Sequence, residues 1–294
     1  MSRERTFSRI RESITLHGVA KSELGEHRGT VITSVGTGRI TAQAEKRFMA
    51  WRMDNGLCLD GPYLKDEVME FLHEYAETHG QSDLDATRLS LGRVLGVRFE
   101  HVPSLIETIR RGRGIAWEKV RRIARHQRHW NALSTLIAFN AGLRAAELLE
   151  LRRDDELEPS PHRTWPETMF LGRDDYVRMV TTGKGGLRRP VALARPLAEA
   201  LETYRLPEVV KITDRGVHHE SLYGIGGGQA FSQSFSEASW NVFGSSDGAH
   251  GLRHGFAQER VATLMSLGFD FMAAVQLVSI ELGHFRPVLV YYQI

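Results

Sequence analysis

The stretch HGLRHGFA, residues 250–257, decides how this chain is read. It opens an amphipathic helix with His250, Arg253 and His254 crowded into about one turn. A helix N-terminus already carries partial positive charge and favours acidic residues, so this crowding is unfavourable unless an anion comes to it. Positions three and four apart share a helix face, and the three side chains can meet one ligand. Zinc is a poor candidate. The pair lacks the acid of an HExxH helix, and the cation at Arg253 opposes a metal held by His250, His254 and His284. A phosphate is a better one.

Three other stretches carry chemistry of the same kind. In AGLRAAELLELR, residues 141–152, Arg144 follows a glycine break in an otherwise apolar segment. Glu147 lies three residues on, faces the same side and can hold the guanidinium. Residues 176–181 and 187–193 are strand-like, and Gly183, Lys184, Gly185 and Gly186 lie between them. Two extended runs about a Gly-rich turn predict a β-hairpin with Lys184 at its tip. In ELGHFRPVLVYYQI, residues 281–294, His284 follows a glycine that ends a helix, and Tyr291 and Tyr292 come seven and eight residues later. Each signal alone has a bland reading: a capping ion pair, an exposed turn lysine, a packed terminal segment.

The charge pattern points to nucleic acid. Only six of the 38 basic residues are lysine. Arginine suits bidentate phosphate contacts, although a GC-rich genome also raises it. Position says more. Residues 110–130 hold eight cations, Arg110, Arg111, Arg113, Lys119, Arg121, Arg122, Arg125 and Arg128, against one acid, Glu118. A local stripe of one sign is an electrostatic footprint for nucleic acid.

The remaining pattern is that of a globular chain, 41% hydrophobic and 25% charged. No run approaches the roughly 20 apolar residues of a membrane helix. The N-terminal MSRERTFSRIRES has no apolar core, so no secretory signal is expected. Cys58 is the sole cysteine, which excludes an intramolecular disulfide and fits a reducing cytoplasm. Residues 1–40 read as an arm. Helical spacing then predicts helices from about 41, from Pro62, around 91–95, and after Pro103 through Leu105, Ile106 and Ile109. They form a helical unit over 41–112, followed by a basic linker and helix over 113–125 and a second domain over 126–294. In that domain we expect helices through 133–143, 144–151, 250–267 and 270–282, with Asp270 capping the last. The GIGGG run at 224–228 reads as a mobile loop, since no strand and lysine frame it as a phosphate-binding loop.

Taken together, the order Arg, Lys, His-x-x-Arg, His, Tyr resembles the tyrosine recombinase, or phage integrase, family. The resemblance covers roughly residues 126–292 and rests on GLRAAEL, TTGKGGLRRPVAL, HGLRHGFA and ELGHFRP. It implies a mainly α fold with a small β-hairpin or sheet: a helical, SAM-like core-binding domain and an α+β catalytic domain. It implies cleavage of DNA by a tyrosine hydroxyl, giving a 3′-phosphotyrosyl bond and a free 5′-hydroxyl, with no cofactor and no metal. Arg144 and Arg253 match the two arginines that bind the scissile phosphate, and Lys184 matches the lysine that protonates the leaving oxygen. His250 matches the first histidine, in a proton-transfer or phosphate-contact role, and His284 the second, which donates to the phosphate. Glu147 would orient Arg144 or His250, and His254 would support the structure. The family's tyrosine falls nine residues after the second histidine, where this chain has Gln293. Allowing one deletion selects Tyr292, with Tyr291 as the alternative.

The resemblance further implies double-stranded DNA as partner, held in a two-domain clamp, and a homotetramer on two DNA sites, with no membrane. Two other readings stay open: a DNA-binding protein of this fold without strand exchange, and a type IB topoisomerase-like relaxation activity.

Overall fold

In the computed structural model of the chain, residues 31–107 and 112–287 are described. The chain divides into two compact units between Arg110 and Arg111. No helix among the described residues is long and apolar enough to cross a membrane.

The first unit is built on helices α1 (Val35–Asp54), α2 (Lys65–Thr78) and α3 (Gln81–Leu95). Ser34 caps α1 by accepting the Thr37 N–H at 3.2 Å. Six residues read as arm, 35–40, therefore belong to a helix. Phe48, Val68, Phe71, Leu72, Leu84 and Leu91 recur at helical spacing and close one core. Arg52 is buried within that unit, with its guanidinium over the Tyr63 ring at 5.3 Å and 3.3 Å from Glu67. The helix expected after Pro103 is not formed over the described residues 103–107. Ser104 bonds the carbonyl of His79, and the Leu105 N–H donates to Ala76. These contacts hold the chain extended and leave Leu105 exposed. Ile109 lies outside the described residues.

The second unit contains α4 (Trp117–Ala124), α5 (His129–Asn140), a 3-10 turn (Glu147–Glu150), β1 (Leu151–Arg153), β2 (Tyr176–Thr182), β3 (Arg188–Ala194), α6 (Arg195–Glu202), β4 (Arg205–Asp214), β5 (Val217–Tyr223), α7 (Gly228–Phe243), α8 (His250–Ser266) and α9 (Phe271–Glu281). Strands β1, β2 and β3 form one antiparallel sheet in that order. The strand alternation feeds two cores. Val191 and Leu193 point into one, with Ile137, Phe231 and Leu252, whereas Ala192 joins the other, with Phe256, Val261, Leu264 and Val278. The sheet thus packs against α5 and α6 through β2 and β3, and against α9 through β3.

Several expectations are corrected here. The helix expected over 144–151 is a 3-10 turn that runs directly into β1. The GIGGG run is packed rather than mobile. A Cβ on Gly226 would lie 1.9 Å from the Asn131 amide oxygen, and one on Gly227 2.4 Å from Leu149, while the Ser134 hydroxyl donates to the Gly226 carbonyl. The hairpin β4–β5 was not anticipated. Its two-residue turn puts Arg215 and Gly216 at φ of 50° and 78°, the positive-φ pair of a tight hairpin, and Pro207 obscured the strand before it. Helices α6 and α7 were also missed.

Candidate active site

The candidate site is assembled around one buried carboxylate. Helix α5 ends at Asn140, and Gly142 turns the chain at φ 60°. That turn presents Arg144 and then Glu147, whose side chain reaches back to accept the Arg144 N–H at 2.9 Å, as in a capping box. Arg144 Nη1 bonds the other oxygen at 2.5 Å. Two more guanidiniums come from distant elements. Arg189 on β3 donates to Glu147 Oε2 at 2.8 Å, and Arg253 on α8 lies 3.5 Å from the same oxygen. One carboxylate against three guanidiniums leaves an excess of two positive charges. Burial alone would raise the Glu147 carboxyl, but Arg189, Arg253 and Arg144 hold it well below the usual carboxylate range.

The three arginines differ in access. Arg144 keeps 32% of its side chain exposed, while Arg253 is fully buried. Arg253 spends its Nη groups on the carbonyls of Gly142, at 2.5 Å, and Leu282. Arg189 donates to the carbonyls of Glu281, at 2.7 Å, and Gly142, at 3.1 Å. Sequence reasoning did not single out Arg189. The signal was present: it sits in phase with the core residues Val191 and Leu193, and a charge at such a position needs a buried partner.

His284 follows Gly283, at φ 74°, and its N–H donates to the Ser279 carbonyl at 2.7 Å. Arg144 Nη2 lies 2.9 Å from His284 Nε2. A guanidinium can only donate, so Nε2 accepts and the ring proton sits on Nδ1. Burial, Arg253, Arg144 and Arg189 draw His284 down to about 4, with Glu147 opposing. His250 and His254 meet edge to face with centroids 5.1 Å apart. His250 keeps an exposed edge, yet burial of the rest of the ring and the charges of His254, Arg253, Arg144 and Arg113 lower it to about 4. His254 is lowered too, by burial and then by Arg113 and Arg253.

These shifts correct the opening picture of a cationic turn awaiting an anion. The histidines escape the crowding by staying neutral, and Arg253 is balanced by Glu147. The backbone of 113–116 crosses this turn: the Ile115 N–H donates to the Gly251 carbonyl, and a Cβ on Gly255 would lie 2.4 Å from the Ile115 oxygen. Glycines at both positions, one turn apart, admit that approach and bring Arg113 near the histidines.

Lys184 is exposed in a turn where Gly185 and Gly186 both adopt φ 76°. Among the described residues its ammonium has no hydrogen-bond or ion-pair partner. Tyr291, Tyr292, Arg110 and Arg111 lie outside the described residues. Arg113, Lys119, Arg121, Arg122, Arg125 and Arg128 are all exposed. On α4, Val120, Ile123 and Ala124 face the core, and Arg122 stacks 4.7 Å over the Phe243 ring.

A complex of the XerH site-specific recombinase with a palindromic difH substrate aligns over 87% of this chain and 76% of its own, at 18% identity and TM-score 0.55. A lambda integrase dimer bound to a core site aligns over 92% and 90%, at 14% identity and TM-score 0.54. The Tn1549 transposon integrase with transposon right-end DNA aligns over 93% of each chain, at 13% identity and TM-score 0.51. The chain has the tyrosine recombinase fold. No family model and no curated protein matches it. On this fold, Arg144, Glu147, Arg253 and His284 converge on one site, and the hairpin bearing Lys184 starts beside it: a Cβ on Gly183 would lie 2.9 Å from Glu147 Oε1.

Proposed function

We propose that the chain is a site-specific DNA recombinase that cuts and rejoins DNA through a phosphotyrosine. The observation that carries this reading is the cluster of three arginines on Glu147 with His284 against Arg144. It offers fixed positive charge and hydrogen-bond donors of the kind a pentacoordinate phosphate needs. Arg144, the accessible guanidinium, binds the nonbridging oxygens of the scissile phosphate and gives up its contact with His284 to do so. His284, released from Arg144, takes the tautomer with its proton on Nε2 and donates that N–H to the phosphate. Arg253 acts from beneath as fixed charge.

Tyr292 attacks phosphorus; Tyr291 is the alternative nucleophile. The new bond is between the tyrosine oxygen and phosphorus, and the bond to the 5′-oxygen breaks. A tyrosine hydroxyl has a reference pKa near 10 and needs a base or a cationic field. Neutral His250 can take its proton. Lys184 swings in on the glycine-flanked turn and protonates the leaving 5′-oxygen as general acid. Attack by a free 5′-hydroxyl reverses the step, so bond energy is kept. His254 supports the turn. The exposed cations from Arg113 to Arg128, with Arg110 and Arg111, contact the phosphates of double-stranded DNA, and exchange proceeds in a homotetramer on two sites.

The test is a nicked suicide duplex drawn from DNA flanking the gene, followed by denaturation and a search for a covalent adduct. Wild type should give one and Tyr292→Phe should not. Loss only in Tyr291→Phe would move the nucleophile by one residue. Tight binding with no adduct in wild type would favour the DNA-binding reading, for which Gln293 at the family's tyrosine spacing is the motive.

A further inference from the structure

We infer that Thr181 and Arg189 are positioning residues for Lys184, acting as a clasp that fastens the β2–β3 hairpin to Glu147. This rests on the reading of Lys184 as general acid. The two residues are direct partners across the strands. Both grip the same residue. The Thr181 hydroxyl donates to the Glu147 carbonyl at 2.8 Å, and Arg189 donates to the Glu147 carboxylate at 2.8 Å. Both are buried, Thr181 to 0% exposure and Arg189 to 1%.

The clasp sits one pair inside the base of the turn. Thr182 pairs with Arg188 beyond it, and the Gly183 N–H donates to Leu187 at 2.8 Å. On the other flank, Ser160 holds the Arg188 backbone twice: the Arg188 N–H donates to the Ser160 hydroxyl at 3.0 Å, and its carbonyl accepts the Ser160 N–H at 2.9 Å. Gly283 leaves room beside it, since a Cβ there would lie 3.1 Å from Leu187 and from Arg189. Arg189 also bonds the Glu281 carbonyl, so one side chain ties the hairpin to the turn bearing Arg144 and to the end of the helix that precedes His284. The strands are pinned as far as Gly183, and the Lys184–Gly186 turn beyond them is closed by the Gly186 N–H donating to the Gly183 carbonyl at 3.1 Å, with the Lys184 side chain exposed. The reach of Lys184 is therefore set by where the clasp holds the strands, three residues before it and five after.

A leaving-group experiment separates this role from simple support of the fold. Cleavage of ordinary DNA expels a 5′-alkoxide, whose acid is about as weak as water, near pKa 16, and so needs a proton donor. With sulfur at the 5′-bridging position, the tyrosine oxygen still bonds to phosphorus, but the bond that breaks is to sulfur. The thiolate leaves without a proton, since a thiol has a reference pKa of about 8.5. Single-turnover cleavage of both DNAs is measured for wild type, Lys184→Ala, Thr181→Val, Arg189→Lys and Arg189→Met. Thr181→Val loses one hydrogen bond at nearly constant volume and should fold whether or not Arg189→Met does.

Misplacement by about 1 Å can cost about 10²-fold. Thr181→Val should lose about that much on oxygen DNA and recover wild-type rates on sulfur DNA, as Lys184→Ala does; Arg189→Met also removes fixed charge from the cluster, so sulfur should restore it only in part, and Arg189→Lys, which keeps the charge, more fully. A loss by Thr181→Val that sulfur does not restore would overturn the clasp, as would an unimpaired Thr181→Val. Failure of Lys184→Ala to recover would overturn the general-acid reading beneath it. Absence of cleavage by wild type on both DNAs would overturn the proposed function itself.

Discussion

Replacing Glu147 by glutamine removes the one negative charge among three buried or half-buried guanidiniums. The shape is kept, but the hydrogen bonding is not. The carboxylate accepts the Arg144 N–H, Arg144 Nη1 and Arg189 Nη2, at 2.9, 2.5 and 2.8 Å. A glutamine has one acceptor oxygen and turns an N–H₂ toward a donor. Unit charges about 4 Å apart attract by about 4 kcal/mol at an effective dielectric of about 20, and the carboxylate's own desolvation offsets part of that. Removing one partner of a buried ion pair costs about 3–5 kcal/mol. That is a large fraction of the roughly 5–15 kcal/mol that holds a domain together. Because the chain has two units, a single melting curve mixes them. Native-state hydrogen exchange at the β2–β3 amides reads the second unit alone, and Glu147→Gln should lower protection there by about 10²- to 10⁴-fold. The gap should narrow at low pH. The native carboxyl is held low, so its contribution is full above the unfolded value near 4.3 and is lost as acid protonates it. Protection within tenfold of wild type at neutral pH would refute the argument that this carboxylate is the counterion of the cluster.

Other expectations follow from the same geometry. His250 and His284 are held at about 4 in the folded chain, so between pH 6.5 and 4 the unfolded state takes up protons that the native state refuses, and stability falls as pH drops through that window. Ring proton resonances titrating near 6.5 in the free protein would contradict this. Gly142→Ala places a Cβ 2.6 Å from Phe256 at φ 60° and should cost about 2–5 kcal/mol, as left-handed strain plus overpacking; Gly185→Ala, with open space around it, should cost about 1–2 kcal/mol. Urea titration of both variants checks the difference. If six phosphates are neutralised, DNA affinity should fall about 10³-fold between 50 and 200 mM salt, and Arg121→Ala should reduce the log–log slope by about one. A flat response would remove the basic face from the DNA interface.

What was legible in the sequence was short-range. Helices α8 and α9, the Lys184 hairpin and the Arg144–Glu147 pair all declare themselves by spacing within about a dozen residues. What was hidden depended on partners far along the chain. Arg189 reads as one more basic residue until Glu147, 42 positions away, is brought to it. The extended run through Ser104 looked helical because Leu105, Ile106 and Ile109 fit the period, and only the carbonyl of His79 explains why the backbone stays open. The same holds for charge. A list of cations could not say that Arg253 would be buried, or that burial among arginines would leave His250 and His284 neutral.

That division explains how so much positive charge is stable in the folded chain. Arg189 and Arg253 direct their forks at the carbonyls of Gly142, Glu281 and Leu282, which lie at or just past the C-terminal ends of α5 and α9. Such ends carry unsatisfied carbonyls and partial negative charge, so each guanidinium is held by helix termini as well as by Glu147. Neither can swing out without leaving those acceptors unpaired. Their charge is fixed in place, and the field at a docked phosphate needs no rearrangement to form. Arg144 alone keeps a solvent face, and its contact with His284 is one that a phosphate oxygen can replace. In this reading, reorganisation on binding is confined to one guanidinium, one imidazole and the Lys184 tip. On the proposed function, the buried pair sets the charge, and Arg144, His284 and Lys184 read the phosphate.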